Sequence, residues 1–207
     1  MKAWDAKPPR DVIERTMKAL NENCINTRLA ATGADAREMV LNLIPAGAEV
    51  FTMTSVTLDD IGISAEINES GRYESVRKAL FGMDPKVQGR TQRKLGAAPD
   101  FAIGSVHAVT RAGTLMIASR TGSQLPAYSF GGGTVIWVVG VQKIVKDVEE
   151  GLRRIEEYLV ERESLRAIRA SGLPADFRTS PNKVLLFNRE VQPDRVTLIL
   201  VDEVVGL

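Results

Sequence analysis

The segment from Phe101 to Lys146 constrains the fold more than any other part of the sequence. It contains two apolar stretches, FAIGSV and TLMIAS, and the residues between and after them are rich in Ser, Thr, Arg and Gly. Apolar strands that end in hydroxyl and guanidinium groups are typical of ligand sites in α/β proteins. Glycines at 113, 122 and 131–133 allow backbone to come close to a ligand. The segment therefore predicts a binding site at strand ends.

Helix and strand patterns alternate along most of the chain. Helices are predicted at 8–24, 33–45, 57–70, 72–97 and 146–171. Strands are predicted at 25–32, 48–56, 100–106, 114–118, 134–141, 183–190 and 195–206. This order predicts an α/β fold with a mainly parallel sheet, helices on both faces and a C-terminal β-hairpin. We expect one domain, residues 1–207, with the N-terminal helix of residues 1–24 at its periphery.

One cysteine and one histidine limit what the chain alone can hold as a cofactor. Iron–sulfur clusters and structural zinc sites each need several Cys or His ligands, and Cys24 with His107 cannot supply them. We therefore expect neither an iron–sulfur cluster nor structural zinc in this chain. The identity of any other cofactor stays open.

Charge and hydropathy argue against several classes of partner. The 27 basic and 26 acidic residues nearly cancel, so no overall field attracts nucleic acid or an anionic membrane. The basic run at 86–94 has only Phe81 nearby for base stacking, which favours a solvated helix face over an RNA patch. Apolar runs fall short of the roughly 20 residues that span a bilayer, and residues 1–10 lack the apolar region of a signal peptide. These features predict a cytoplasmic protein.

Four collinear pieces of the sequence carry a family resemblance. They are LIPAGAEVFTMTSVTLDDIG, SVHAVTRAGTLM, VIWVVGVQKIVKDVEEGLRRI and RVTLILVDEVVG. The chain resembles the LUD domain, the lactate-utilisation family, whose patterns include Ser-x-Thr-Leu-x-x-Ile-Gly, Ser-x-x-Ala-x-Thr-x-x-Gly-Thr and a strand followed by Gly-x-x-Lys-Ile-Val. The resemblance implies an α/β fold similar to that of sugar-phosphate isomerases and CoA transferases, with ligand sites at the C-terminal ends of strands.

The chain also departs from this family. His107 stands where many relatives carry Asn, and the paired cysteines that many relatives have before the last hairpin are absent. Lactate oxidation in the family belongs to an assembly with iron–sulfur partners. The resemblance therefore implies an accessory subunit with iron–sulfur or redox partner proteins, and it does not make this subunit an oxidase.

Hydroxyl, cationic and glycine residues of the motifs form the candidate site. We expect them to bind a small anion, held by Arg120, Lys143, a helix N-terminus near Thr57 and backbone N–H groups near Gly113 or Gly122. The candidate ligand-binding residues are Thr54, Ser55, Thr57, Ser105, His107, Thr110, Gly113, Thr114, Arg120, Gly122 and Lys143. Parallel strands end at one edge of a sheet, so most of these residues should surround one cleft.

Structural roles are the alternatives for the same residues. Ser55 and Thr57 could only cap a helix, and Gly113 could only form the turn of a hairpin. Lys143 could simply open the long helix, and a loop with Arg120 could be solvated. His107 is a weak candidate for an acid or base catalyst.

Three functions stay open at this point. The first is a protein that binds a small anionic metabolite or nucleotide phosphate as an accessory subunit in organic-acid utilisation. The second is a stand-alone isomerase or acyl/CoA-transferase-like enzyme, for which the motifs offer only Asp59, Asp60 and Asp100 as carboxylates. The third is an interaction protein that recruits redox partners. The oligomeric state also stays open, a homodimer included.

Overall fold

A computed structural model describes residues 3–207, and its centre is a sheet of six parallel strands. We call it the main sheet, and its strand order is β1-β10-β7-β4-β2-β3. Its strands are β1 Asn26–Ala30, β2 Glu49–Thr52, β3 Glu74–Ser75, β4 Phe101–Gly104, β7 Thr134–Gly140 and β10 Val196–Val201. The predicted α/β fold with a parallel sheet and flanking helices is confirmed.

Eight α-helices connect and cover the strands in the described part of the chain. They are α1 Arg10–Glu22, α2 Gly33–Leu43, α3 Val56–Asp60, α4 Ile63–Glu69, α5 Val76–Phe81, α6 Pro85–Ala97, α7 Val148–Arg154 and α8 Val160–Ser171. A π-helical turn at Ile155–Leu159 joins α7 to α8, so the helix predicted at 146–171 is continuous from 148 to 171. A second π-turn spans Ala127–Gly131, and a 3₁₀ turn spans Val141–Lys143.

The main sheet buries both faces because its side chains alternate between two cores. Val135, Trp137 and Val139 of β7 point into one core, to which α1 also contributes. Ile136 and Val138 point into the other core, which α2, α3 and α4 cover. A strand that is buried on both faces reads as a continuous apolar run, which is why TVIWVVG was recognisable in the sequence.

A second, smaller sheet packs between the main sheet and the long helix. Its order is β8-β5-β6-β9, with β5 Ala108–Thr110, β6 Leu115–Ser119, β8 Ile144–Val145 and β9 Lys183–Phe187. Leu115 and Ile117 of β6 face the core shared with the main sheet. Met116 and Ala118 face Ile155 and Leu159 of the long helix. Because β4 ends at Gly104 and β5 starts at Ala108, residues 105–107 pass from one sheet to the other.

The last two predicted strands form, but they enter different sheets and do not pair with each other. Strand β9 pairs with β6 in the smaller sheet, whereas β10 lies between β1 and β7 in the main sheet. All six residues of β10 are buried, which suits a central parallel strand. Strand β9 has mostly exposed or half-buried residues, as an edge strand does.

Candidate functional site

A cleft of about 320 Å³ lies where β2, β4 and β7 end. The C-terminal ends of parallel strands share one edge of a sheet, so the residues that follow them meet there. The smaller sheet and the long helix form the opposite wall. Apolar wall residues are Phe51, Met53, Val56, Val106, Ala118, Tyr128, Ile155, Leu159 and Val160. The volume suits a small metabolite.

A hydrogen-bonded cluster of three side chains lies at the end of β7. The 3₁₀ turn directs Lys143 toward β2 and β4, and its Nζ donates to Thr57 Oγ1 at 2.9 Å and to Ser105 Oγ at 3.1 Å. Thr57 Oγ1 also lies 3.3 Å from Ser105 Oγ. We call Thr57, Ser105 and Lys143 the hydroxyl–lysine cluster.

Lys143 is only 3% exposed, and no carboxylate of residues 3–207 forms a hydrogen bond or an ion pair with it. Burial and, to a lesser extent, the nearby Arg154 lower the pKa of Lys143 to about 7, against a smaller opposing effect of Asp60. The amine is therefore partly neutral near pH 7, unlike that of an ordinary surface lysine.

The segment 204–207 lies against Thr57 of the hydroxyl–lysine cluster. Gly206 has φ +68°, and a Cβ atom added to it would lie 2.1 Å from Thr57 Oγ1. The N–H of Gly206 donates to Asp60 Oδ2 at 2.9 Å, and Gln142 Nε2 donates to the carbonyl of Val205 at 2.9 Å. Glycine is thus required at 206 for the chain to pass so close to Thr57.

His107 lines the cleft in its neutral form. Burial, with smaller contributions from Lys143 and Arg154, lowers the pKa of His107 to about 3. Its Nδ1 accepts a hydrogen bond from the N–H of Ala118 at 3.1 Å, which assigns the ring proton to Nε2. The backbone carbonyl of His107 accepts a hydrogen bond of 2.7 Å from the guanidinium of the fully buried Arg154. This contact holds the backbone that carries the imidazole ring.

Three arginines lie around the cleft. Arg77 donates to Thr54 Oγ1 at 3.1 Å, and Arg120 stacks over the ring of Phe177 at 4.9 Å. Arg166 makes two hydrogen bonds with Glu163, at 2.7 and 2.6 Å. Among the described lining residues, only Glu163 has a side-chain carboxylate, and this carboxylate already forms an ion pair with Arg166. The cleft therefore has an excess of positive charge.

The structure brings seven of the predicted site residues to this cleft: Thr54, Ser55, Thr57, Ser105, His107, Arg120 and Lys143. Ser55 also accepts from the N–H of Leu58 and begins α3. Lys143 does not open the long helix, which begins at Val148 after its cap Asp147.

Four predicted residues lie outside the cleft lining: Thr110, Gly113, Thr114 and Gly122. The turn between β5 and β6 points toward α1, where Asn23 Nδ2 donates to the carbonyl of Ala112 at 3.0 Å. Thr110 Oγ1 accepts from the N–H of Thr114 within this turn. The N–H of Gly122 donates to Ser119 Oγ at 2.8 Å and is thereby occupied.

Several lining residues had no signal in the sequence. Arg77 follows the two-residue strand β3, in a segment that the sequence predicted only as helix, 72–97. Glu163 and Arg166 belong to the long helix predicted at 146–171, and an ion pair three residues apart is common on any helix surface. Only the three-dimensional packing of these helices beside the strand ends reveals their position.

Across residues 3–207, no three Asp, Glu, His or Cys side chains lie together in a way that could hold a metal ion. In the same part of the chain, no helix has both the length and the apolar character needed to cross a membrane.

Comparisons with known proteins bear on the fold and the family. A crystal structure of a DUF162 family protein from Deinococcus radiodurans is similar, with 12% identity and a TM-score of 0.56 over 94% of this chain and 99% of that chain. A crystal structure of eIF2B beta from Chaetomium thermophilum is weakly similar, with 17% identity and a TM-score of 0.39 over 70% of this chain and 46% of that chain. No curated protein matches the sequence. The model of the LUD domain matches residues 13–201, and the chain therefore belongs to the LUD domain family.

Proposed function

We propose that this protein binds a small anionic metabolite or a nucleotide phosphate in the cleft at the ends of β2, β4 and β7. The observation that carries the proposal is the local excess of positive charge. Arg77 and Arg120 line a cleft in which Glu163, the side-chain carboxylate of the described lining, is already paired with Arg166. The whole chain has a net charge of only +1, so attraction of an anion must come from this local arrangement.

The polar floor of the cleft supports the same proposal. Hydroxyl groups of Thr54, Ser55, Ser105 and Ser119 line it, and hydroxyls and guanidinium groups together suit phosphate and carboxylate oxygens. The apolar wall residues would contact the carbon skeleton of the ligand. We further propose that this ligand-binding subunit serves organic-acid utilisation, in line with its membership of the LUD family.

A transferase with a carboxylate nucleophile is less well supported by the cleft. Such an enzyme needs a free Asp or Glu beside its substrate. Glu163 is held in two hydrogen bonds by Arg166, and Asp59, Asp60 and Asp100 are absent from the described lining.

A ligand screen by thermal unfolding tests the proposal. The purified chain is heated with lactate, nucleotides, CoA and sugar phosphates, each at several concentrations. A ligand at 100 times its Kd should add about 2.7 kcal/mol of stability and raise the midpoint of unfolding. Sodium chloride at matched ionic strength is the control for general salt effects. If none of these anions shifts the midpoint beyond that control, the proposed function is wrong.

A further inference from the structure

The hydroxyl–lysine cluster has the arrangement of an activated nucleophile. Ser105 Oγ lies 3.1 Å from Lys143 Nζ, and Thr57 Oγ1 lies 2.9 Å from the same nitrogen. A nucleophile within hydrogen-bond reach of a base, with a third group that orients the base, is the general signature of covalent catalysis. Serine with lysine is a known form of this arrangement.

The surroundings of Lys143 suit a base. The charged and titratable groups that act on it are Arg154, Asp60 and His107. Arg154 and burial disfavour the ammonium, Asp60 is not hydrogen-bonded to it, and His107 is neutral. A substantial fraction of Lys143 is therefore the free amine at neutral pH and can accept a proton.

Ser105 is the better nucleophile of the two hydroxyl residues. It is half-buried and lines the cleft in the crossing between the two sheets. Thr57 is 1% exposed, carries a secondary hydroxyl and lies against Gly206. Thr57 is therefore a positioning residue for Lys143.

We propose that Ser105 and Lys143 form a catalytic dyad, oriented by Thr57, that hydrolyses a small ester or thioester with an anionic group. The expectation that the substrate carries an anionic group rests on the proposed function. The ester or thioester class follows from the dyad, because an acyl carbon is the electrophile that a serine hydroxyl attacks with a base beside it.

The reaction proceeds in two steps, acylation of Ser105 and hydrolysis of the acyl–serine ester. Lys143 takes the hydroxyl proton as Ser105 Oγ attacks the acyl carbon. The bond from that carbon to the leaving oxygen or sulfur breaks, and the leaving group receives the proton from Lys143. Water then attacks the acyl carbon of the acyl–serine ester and loses a proton to Lys143. The bond from that carbon to Ser105 Oγ breaks, and Oγ receives the proton from Lys143. The products are the free acid and the alcohol or thiol, and Ser105 is regenerated.

His107 supplies a donor for the oxygen that becomes charged during these steps. With Nδ1 occupied by the N–H of Ala118, its Nε2–H is the free donor of the ring. No group of residues 3–207 is hydrogen-bonded to Nε2, although His107 lines the cleft. A donor of this kind stabilises an oxyanion.

Acylation by activated esters tests the dyad. The full chain is mixed with 4-nitrophenyl acetate and with the anionic 4-nitrophenyl succinate. Intact mass is followed over time from pH 6 to 9, and digestion locates the acyl group. We expect one acyl group on Ser105 and preference for the succinate ester. The rate should rise as pH passes about 7, where Lys143 loses its proton.

Three variants define the outcome. Ser105→Ala should not be acylated, and Lys143→Met should be slowed at least about 100-fold, the lower range for loss of a general base. Ser171→Ala is the matched control, because Ser171 is exposed at the end of α8 and outside the described lining of the cleft, and it should react like the parent.

The dyad is wrong if the parent carries no acyl group on Ser105, or if Lys143→Met reacts at the parental rate. If Ser105→Ala does not fold, the position of the acyl group in the digested parent protein decides whether Ser105 is the nucleophile. Failure of the dyad leaves anion binding untouched, because the thermal screen measures binding without any reaction. A screen with a positive shift and no acylation would therefore refute the dyad alone.

Discussion

Lys143 Nζ lies 2.9 Å from Thr57 Oγ1, although the two residues are 86 positions apart. The contact places a buried amine beside two neutral hydroxyls, and no carboxylate of the described chain pairs with this amine. Hydroxyls compensate an ammonium less well than a carboxylate does, so burial favours the free amine.

The stability of the protein should rise with pH because of Lys143. The pKa of this group is lowered from 10.5 in the unfolded chain to about 7 in the folded one. Between these values the unfolded state binds more protons, so the free energy of unfolding should rise by up to about 1.4 kcal/mol per pH unit. Lys143→Met removes this contribution. Urea unfolding of both proteins at pH 7, 8 and 9 should give a difference that grows in favour of the parent, and a constant difference would contradict the lowered pKa.

His107 should not become protonated in the folded protein between pH 5 and 8. It is the only histidine, so NMR spectra of its ring need no further assignment. Because burial lowers its pKa to about 3, the ring signals should stay constant, with the proton on Nε2. The unfolded chain takes up this proton near pH 6.5, so this group destabilises the fold as pH falls below that value. A titration midpoint near 6.5 in the folded protein would show that the ring is solvated instead.

Arg120 should contribute to anion binding without a role in folding. It is exposed at the edge of the cleft and stacks on Phe177. Arg120→Ala should weaken the ligand found in the screen by about 1.5–3 kcal/mol, the range for hydrogen bonds to charged groups. Arg120→Lys should restore part of this, because an ammonium lacks the planar two-point contact.

Arg90→Ala is the control for this measurement, since Arg90 is exposed on α6 and outside the described lining. It removes the same charge from the chain and should leave the affinity unchanged. Titration calorimetry at fixed ionic strength compares the four proteins. Equal affinity in all of them would exclude Arg120 from the site.

Gly206→Ala should destabilise the protein more than Gly47→Ala. Both glycines have positive φ, +68° at Gly206 and +78° at Gly47. A Cβ added at 206 would lie 2.1 Å from Thr57 Oγ1, whereas a Cβ added at 47 would have none of the described atoms within 4 Å. Gly47→Ala should therefore cost about 1–2 kcal/mol for backbone strain alone. Gly206→Ala should add about 1–3 kcal/mol of overpacking. Equal losses in urea unfolding would mean that segment 204–207 does not press on Thr57.

Periodicity in the sequence was sufficient for five of the six strands of the main sheet and for most of its helices. It missed β3, whose two residues lie within the segment predicted as helix at 72–97. Continuous apolar runs such as that of β7 identify buried parallel strands, and capping residues such as Asp35 identify helix starts. Parallel strands then place Thr57, Ser105 and Lys143 at one edge without any knowledge of contacts. The common edge could be predicted for this reason, but the hydrogen bonds within the cluster could not.

Sheet membership was much harder to predict. The sequence predicted one strand at 100–106, whereas the chain leaves the main sheet after Gly104 and joins the smaller sheet as a separate strand at Ala108. For this reason Thr110 and Gly113 were predicted in the cleft, whereas Thr110 ends β5 and Gly113 lies in the turn between β5 and β6. The position of Arg77 depends on how α5 packs, which local propensity does not encode.

Tyr128 forms part of the cleft wall and contacts Trp137 edge-on, with ring centroids 5.2 Å apart. Trp137 is fully buried in β7. The cleft thus carries its own optical reporter, because indole emission responds to movement of a neighbouring phenol ring. A ligand that shifts Tyr128 should change the fluorescence of the protein without an added dye, and Trp137→Phe should abolish that change while Trp4 still emits.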